Sequence, residues 1–107
     1  MNEIKFIGGL RWGDGFWNNS MNASFPFASL QIKDDRCILT WYIFWIKYTS
    51  YTITYNELDC VSLKKFLFSK GVLFTHTNRK IPKYLLFWTR KTDVILEELR
   101  QKRIEVI

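Results

Sequence analysis

Apolar and polar positions alternate along most of this chain and change to a helical period only near its end. Ala28, Leu30 and Ile32 alternate with Ser29, Gln31 and Lys33, so residues 25–33 read as a half-buried strand. Pro26 suits the start of that strand, where a missing N–H costs little. Residues 36–41 and 44–48 read as one long strand or two paired ones, and residues 51–55 carry a strand-favouring Thr-Ile-Thr-Tyr run. Residues 58–66 and 72–77 flank a hairpin through Ser69-Lys70-Gly71. Residues 84–88 form an apolar run after Pro82, the length of a buried strand and too short for a full helix. At the other end, Ile4-Lys5-Phe6-Ile7 reads as a first strand broken by Gly8-Gly9. Gly13-Asp14-Gly15, between Leu10-Arg11-Trp12 and Phe16-Trp17, is a hairpin signal. Residues 18–24 are polar and turn-like, and residues 77–83 read as a loop.

The period changes after Trp88. Ile95, Leu96 and Leu99, with Val94 beside them, give one apolar face to a helix over residues 90–103. Thr89 or Thr92 can accept its free N–H groups, and Asp93 suits the positive end of its dipole. Glu98 and Lys102, four apart, fit a solvated outer face. Ile104 and Val106 alternate with Glu105, which allows a short final strand or an extended tail.

Length makes this one domain, residues 1–107, large enough for a real core. The aromatic share of 18% tilts the expectation toward β structure. Cys37 and Cys60 make no disulfide framework and read as reduced residues of a cytoplasmic protein. The N-terminal stretch lacks the apolar run of a signal peptide, and no apolar stretch is long enough for a membrane helix. The expectation is a soluble, mainly β protein closed by one C-terminal helix.

The order of elements resembles the pleckstrin-homology-like (PH-like) superfold, and in particular small bacterial PH-like domains related in shape to GRAM domains. The residues that carry the resemblance are Ser24-Phe25-Pro26-Phe27-Ala28-Ser29-Leu30-Gln31-Ile32 as the opening strand and Asp34-Asp35 as its turn. Ile53-Thr54-Tyr55-Asn56-Glu57-Leu58 with Val61 resembles the middle of the barrel. Phe68 to His76 resembles the next hairpin, and Leu86-Phe87-Trp88 with Ile95 to Leu99 resembles the last strand and capping helix. The resemblance implies a bent barrel of about seven antiparallel strands. Residues 24–89 would form the barrel, residues 90–103 the cap, and residues 1–23 a strand or hairpin added at the barrel edge. Phosphoinositide-binding PH domains carry a basic pattern around the first strand-to-strand turn. Here that turn is matched to Lys33-Asp34-Asp35-Arg36, with two acids at its centre, so the usual inositol-phosphate pocket is not expected.

Charge narrows the function further. Residues 60–92 carry eight basic side chains and no acid, whereas the segments on either side each sum to −1. Lys64, Lys65, Lys70, Arg79, Lys80 and Lys83 therefore form the candidate contact region, one that attracts phosphates or carboxylates. Lysines of this kind also serve plain solubility and edge protection. The partner is expected to be an acidic protein or an anionic membrane surface. The alternative is a nucleic acid bound by the same region, with Trp12 or Trp17 stacking on bases if exposed. Catalysis, metal binding and a cofactor are not expected. His76 is the only histidine, the two cysteines are distant, and the paired acids Asp34-Asp35 and Glu97-Glu98 suit a turn and a helix face. Most of the clustered aromatics, Trp12, Phe16 and Trp17 and then Trp41, Phe44 and Trp45, are expected in the core or covering a barrel end. An open strand edge would also allow a homo-oligomer.

Overall fold

The computed structural model describes residues 4–13, 20–65 and 69–107. Among these residues, seven antiparallel strands are followed by one helix: β1 (Ile4–Gly13), β2 (Ser20–Ile32), β3 (Arg36–Ile43), β4 (Ile46–Thr54), β5 (Leu58–Lys65), β6 (Lys70–His76), β7 (Tyr84–Trp88) and α1 (Thr92–Gln101). The strands form one sheet in the order β4-β3-β2-β1-β7-β6-β5. Its two end strands, β4 and β5, do not pair, so the sheet is not closed into a barrel.

The first strand is not an addition at the edge. It lies mid-sheet, because its two halves serve different neighbours. Ile4–Gly8 pairs with the end of β2, whereas Leu10–Gly13 pairs with both the start of β2 and β7. Gly8 and Gly9 make this possible rather than breaking the strand. A Cβ on Gly8 would lie 2.0 Å from the Trp88 carbonyl oxygen, and one on Gly9 would lie 2.8 Å from that of Ala23. Only glycine lets three backbones approach this closely.

The same place reshapes β2. Gly8 pairs with Ala28 and Leu10 with Ala23, so Gly9 alone faces four residues of β2. Inward positions consequently shift phase, from Ala23 to Ala28, Leu30 and Ile32. Pro26 therefore sits within a strand, at its irregularity and after a cis peptide bond, rather than at the strand's start. The strand also begins earlier than its polar composition suggested. Ser20–Ala23 pairs with Leu10–Gly13, so the ladder recruits residues that lack strand propensity. The expected Asp14-Gly15 hairpin and Trp17 lie outside the described residues.

β3 and β4 are two paired strands joined through Phe44 and Trp45, and residues 51–54 continue β4 rather than forming a separate strand. Phe44 takes a left-handed backbone, φ 56°, a conformation usually left to glycine or asparagine. β5 and β6 pair from Leu58↔His76 to Lys65↔Lys70, so Lys70 and Gly71 belong to a strand and not to its turn.

α1 packs on β5 and β6. Ile95, Leu96 and Leu99 are buried on the expected face, in one core cluster with Val61 of β5 and Phe74 of β6, while Val94 stays exposed. The helix is shorter than 90–103 and its capping differs. Lys91 occupies the N-cap without a side-chain hydrogen bond, and the Thr89 hydroxyl instead accepts the Lys91 N–H at 3.3 Å. Thr92 is fully buried in the first turn, and its hydroxyl has no hydrogen-bond partner among the described residues. Lys102 reaches Asp34 at 3.5 Å, and Glu97 pairs with Arg100 at 2.9 Å. The tail returns to the sheet. Val106 forms a parallel bridge with Val61, and the Val61 N–H donates to the Glu105 carbonyl at 2.9 Å.

No described helix is long and apolar enough to cross a membrane.

Candidate functional site

β7 ends at Trp88, opposite Gly9, and the chain then turns through Thr89 into α1. The first half of β1 therefore loses its neighbour on that side. The gap is an open groove of about 1420 Å³ between Ile4–Ile7 of β1, the corner from Trp88 to Val94, and the β5–β6 end. Lys5, Lys65, Lys70, Arg90 and Lys91 line it, together with Ile7, Phe25 and Val94, and no acid is among its described lining residues. Phe25 is 69% exposed, and Lys5, Lys65, Arg90 and Lys91 are exposed as well.

Local structure explains each position. On β5, Val61 and Leu63 face the core, so Lys65 continues the inward phase and emerges at the groove, while Lys64 points to the opposite face. Lys70 opens β6 across from Lys65, and its carbonyl accepts the Thr89 N–H at 3.3 Å, which fixes the corner beside it. Lys91 is the uncapped N-cap of α1, so the positive end of the helix dipole adds to the potential at the rim.

The six basic residues singled out from sequence do not form one surface. Lys65 and Lys70 line the groove, but Arg79, Lys80 and Lys83 are exposed in the β6–β7 connection, beyond the far end of β6. Lys70–His76 spans roughly 20 Å at the usual strand rise. Arg90 and Lys91 belonged to the recognised charge block but not to the candidate set. Their adjacency to the helix start was the available signal. Lys5 carried no sequence signal, because only the return of β7 alongside β1 brings it near Lys65.

The aromatic candidates divide as well. Trp12 is not exposed: it is 92% buried by its 8% residual exposure, and its ring stacks on Trp41 with centroids 4.5 Å apart. It faces inward in the phase of Phe6 and Leu10, so it cannot stack on a base. Phe44 and Trp45 on the β3–β4 turn, and Ile46 at the start of β4, are instead exposed, at 74–77%. Phe27 touches both turn rings, with centroids 6.2 Å from Phe44 and 5.4 Å from Trp45. A two-residue turn projects past both faces of its sheet, which is why this apolar run finds no core.

His76 has a structural task. Its Nδ1 accepts the Asn78 N–H at 3.1 Å, and its Nε2 lies 2.8 Å from the Pro82 carbonyl and donates to it. Both ring nitrogens thus hold the β6–β7 connection. Cys37 is fully buried, and burial pushes its thiol up to about 12, which removes the thiolate that reactivity requires. Asp35 is held below the usual carboxylate range, mainly by its hydrogen bonds to the Arg36 guanidinium at 2.8 and 3.1 Å. Among the described residues no group of His, Cys, Asp and Glu side chains could hold a metal ion.

No protein-family model matches the chain, and no curated protein matches its sequence at a significant level.

Proposed function

We propose that this chain is a non-enzymatic binding module of the PH-like type that docks on anionic membrane surfaces through the groove between β1 and the β7–α1 corner. The observation that carries the reading is the groove lining: among its described residues, five cations and no acid around exposed apolar side chains. Cations alone suit any polyanion. Cations beside Ile7, Phe25 and Val94 suit an anionic amphiphile, whose headgroup and acyl chain meet both chemistries. The exposed β3–β4 tip supports the same partner, since aromatic side chains are favoured at the membrane–water boundary. Phe25 and Phe27 join the two features, one lining the groove and the other touching the tip. The seven-stranded order with its C-terminal helix and its unpaired β4 and β5 supports the PH-like comparison, with an open corner in place of full closure.

Co-sedimentation with phosphatidylcholine vesicles, with and without phosphatidylserine, tests this. Binding is expected only to the anionic vesicles and should persist at near-physiological salt. Lys65→Glu with Lys91→Glu should weaken it roughly 30-fold, taking about 1 kcal/mol for each lost lysine near such a surface. Arg79→Glu with Lys80→Glu makes the same change in net charge at the far end of β6 and should retain binding. Equal loss in both double variants would reduce the groove to bulk charge and sink the proposal. Displacement by a competing oligonucleotide would favour the nucleic-acid reading, which the burial of Trp12 already weakens. Failure to bind either would leave an acidic protein as partner.

A further inference from the structure

The sheet has two ends, and only one is guarded. At β5 the tail covers the outer edge. Val61 donates to Glu105, Ile107 donates back to Val61 at 2.9 Å, and Lys64 and Lys65 charge the strand's end. β4 has β3 on one side and no strand on the other among the described residues. It is nine residues long, Ile-Lys-Tyr-Thr-Ser-Tyr-Thr-Ile-Thr, with no proline, no acid and a single lysine. Proteins blunt exposed edges with charge, proline, bulges or short length. The one irregularity of this strand lies between Lys47 and Thr49, so Thr49–Thr54 is left as a regular, neutral template rich in strand-favouring residues.

We propose that two copies of this chain associate through β4, the edge strands pairing antiparallel about a twofold axis to extend the sheet. The axis is perpendicular to the sheet, so that the buried sides of both copies lie on the same face. That requirement makes one residue pair with its own copy. Centring on Thr52 sets that residue opposite its own copy, Ser50 opposite Thr54 and Lys47 opposite Glu57 of the second copy. In this register no like charge faces like charge. The side chains alternate suitably. Ile53 faces the core, while Ser50 already bonds Thr40 at 2.9 Å on the outer face, where Thr52 and Thr54 join it. Pairing therefore adds a row of hydroxyl contacts of the kind that stabilise cross-strand neighbours. Association leaves the groove free, because no β4 residue lines it.

Sedimentation equilibrium of the full chain from micromolar to sub-millimolar concentration reads the assembly. The wild type is expected to dimerise. Thr52→Lys and Thr52→Glu should each be monomeric where the wild type is dimeric, because charges of one sign then meet across the axis. An equimolar mixture of the two should restore a heterodimer. Circular dichroism and thermal melting of each variant establish that it is folded, and the mixture carries the test even if both variants lose stability. A wild type that stays monomeric throughout overturns the proposal. So does a dimer that survives both substitutions, or a mixture that fails to reassociate. A dimer lost instead in Trp45→Ser would place the contact at the β3–β4 tip and overturn β4 pairing.

Discussion

Replacing Thr92 by valine should stabilise this protein. Thr92 is the first residue of α1 and is fully buried, and its hydroxyl has no partner among the described residues. A buried, unpaired hydroxyl costs about 1–3 kcal/mol, whereas a methyl group of nearly the same volume costs nothing in desolvation. The first helical turn contributes little against valine, so Thr92→Val should gain about 1–2 kcal/mol. For a domain near 100 residues each kcal/mol moves the melting temperature by roughly 4–8 °C, so the rise is easily read in a thermal scan. Urea unfolding should show a higher midpoint with an unchanged slope. Thr92→Ser is the control. It keeps the hydroxyl, removes the packed methyl and should cost about 1 kcal/mol. A Thr92→Val protein less stable than the wild type would mean that the hydroxyl bonds a group in the folded chain, and the reasoning would fail. Vesicle binding should be unchanged, since no charge of the groove is altered.

Gly8→Ala should be among the most damaging single substitutions, costing more than about 3 kcal/mol or preventing folding, because the new Cβ meets backbone oxygen rather than a movable side chain. Equilibrium unfolding checks it, and a loss below about 1 kcal/mol would show that β1 and β7 can separate cheaply. Alkaline pH should destabilise the fold. Burial raises the Cys37 thiol from 9.0 to about 12 and raises the Tyr55 and Tyr84 hydroxyls above 10.0, so the unfolded chain releases these protons first. Stability is therefore full below about pH 9 and falls as pH rises, the thiol contributing up to about 1.4 kcal/mol for each pH unit until it too ionises. Melting temperatures between neutral pH and pH 11 should decline less steeply in Cys37→Ala, and an identical slope would contradict the assignment.

What the sequence determined by itself was local. The alternation of Ala28, Leu30 and Ile32, the buried run at Leu85 to Phe87, and the helical spacing of Ile95, Leu96 and Leu99 all reappear as the core. Those patterns are legible because burial on one face repeats every second residue in a strand and every three or four in a helix. The excess of basic residues over 60–92 was equally plain. The tertiary structure decided everything that depends on which strand lies beside which. Gly8 and Gly9 read as a break but serve as a crossing point, since their neighbours Trp88 and Ala23 come from other strands. Residues 20–23 carry no strand pattern and are held by the ladder with β1. Trp12 and Trp45 have the same composition-level claim to the core, yet one stacks inside and the other tops a turn. Lys5 joins Lys65 and Lys91 while Arg79 and Lys80 are carried away, although sequence distance suggests the reverse. The physical reason is that side-chain phase is set by the nearest few residues. The neighbours across a sheet are set by chain return, which no local period records.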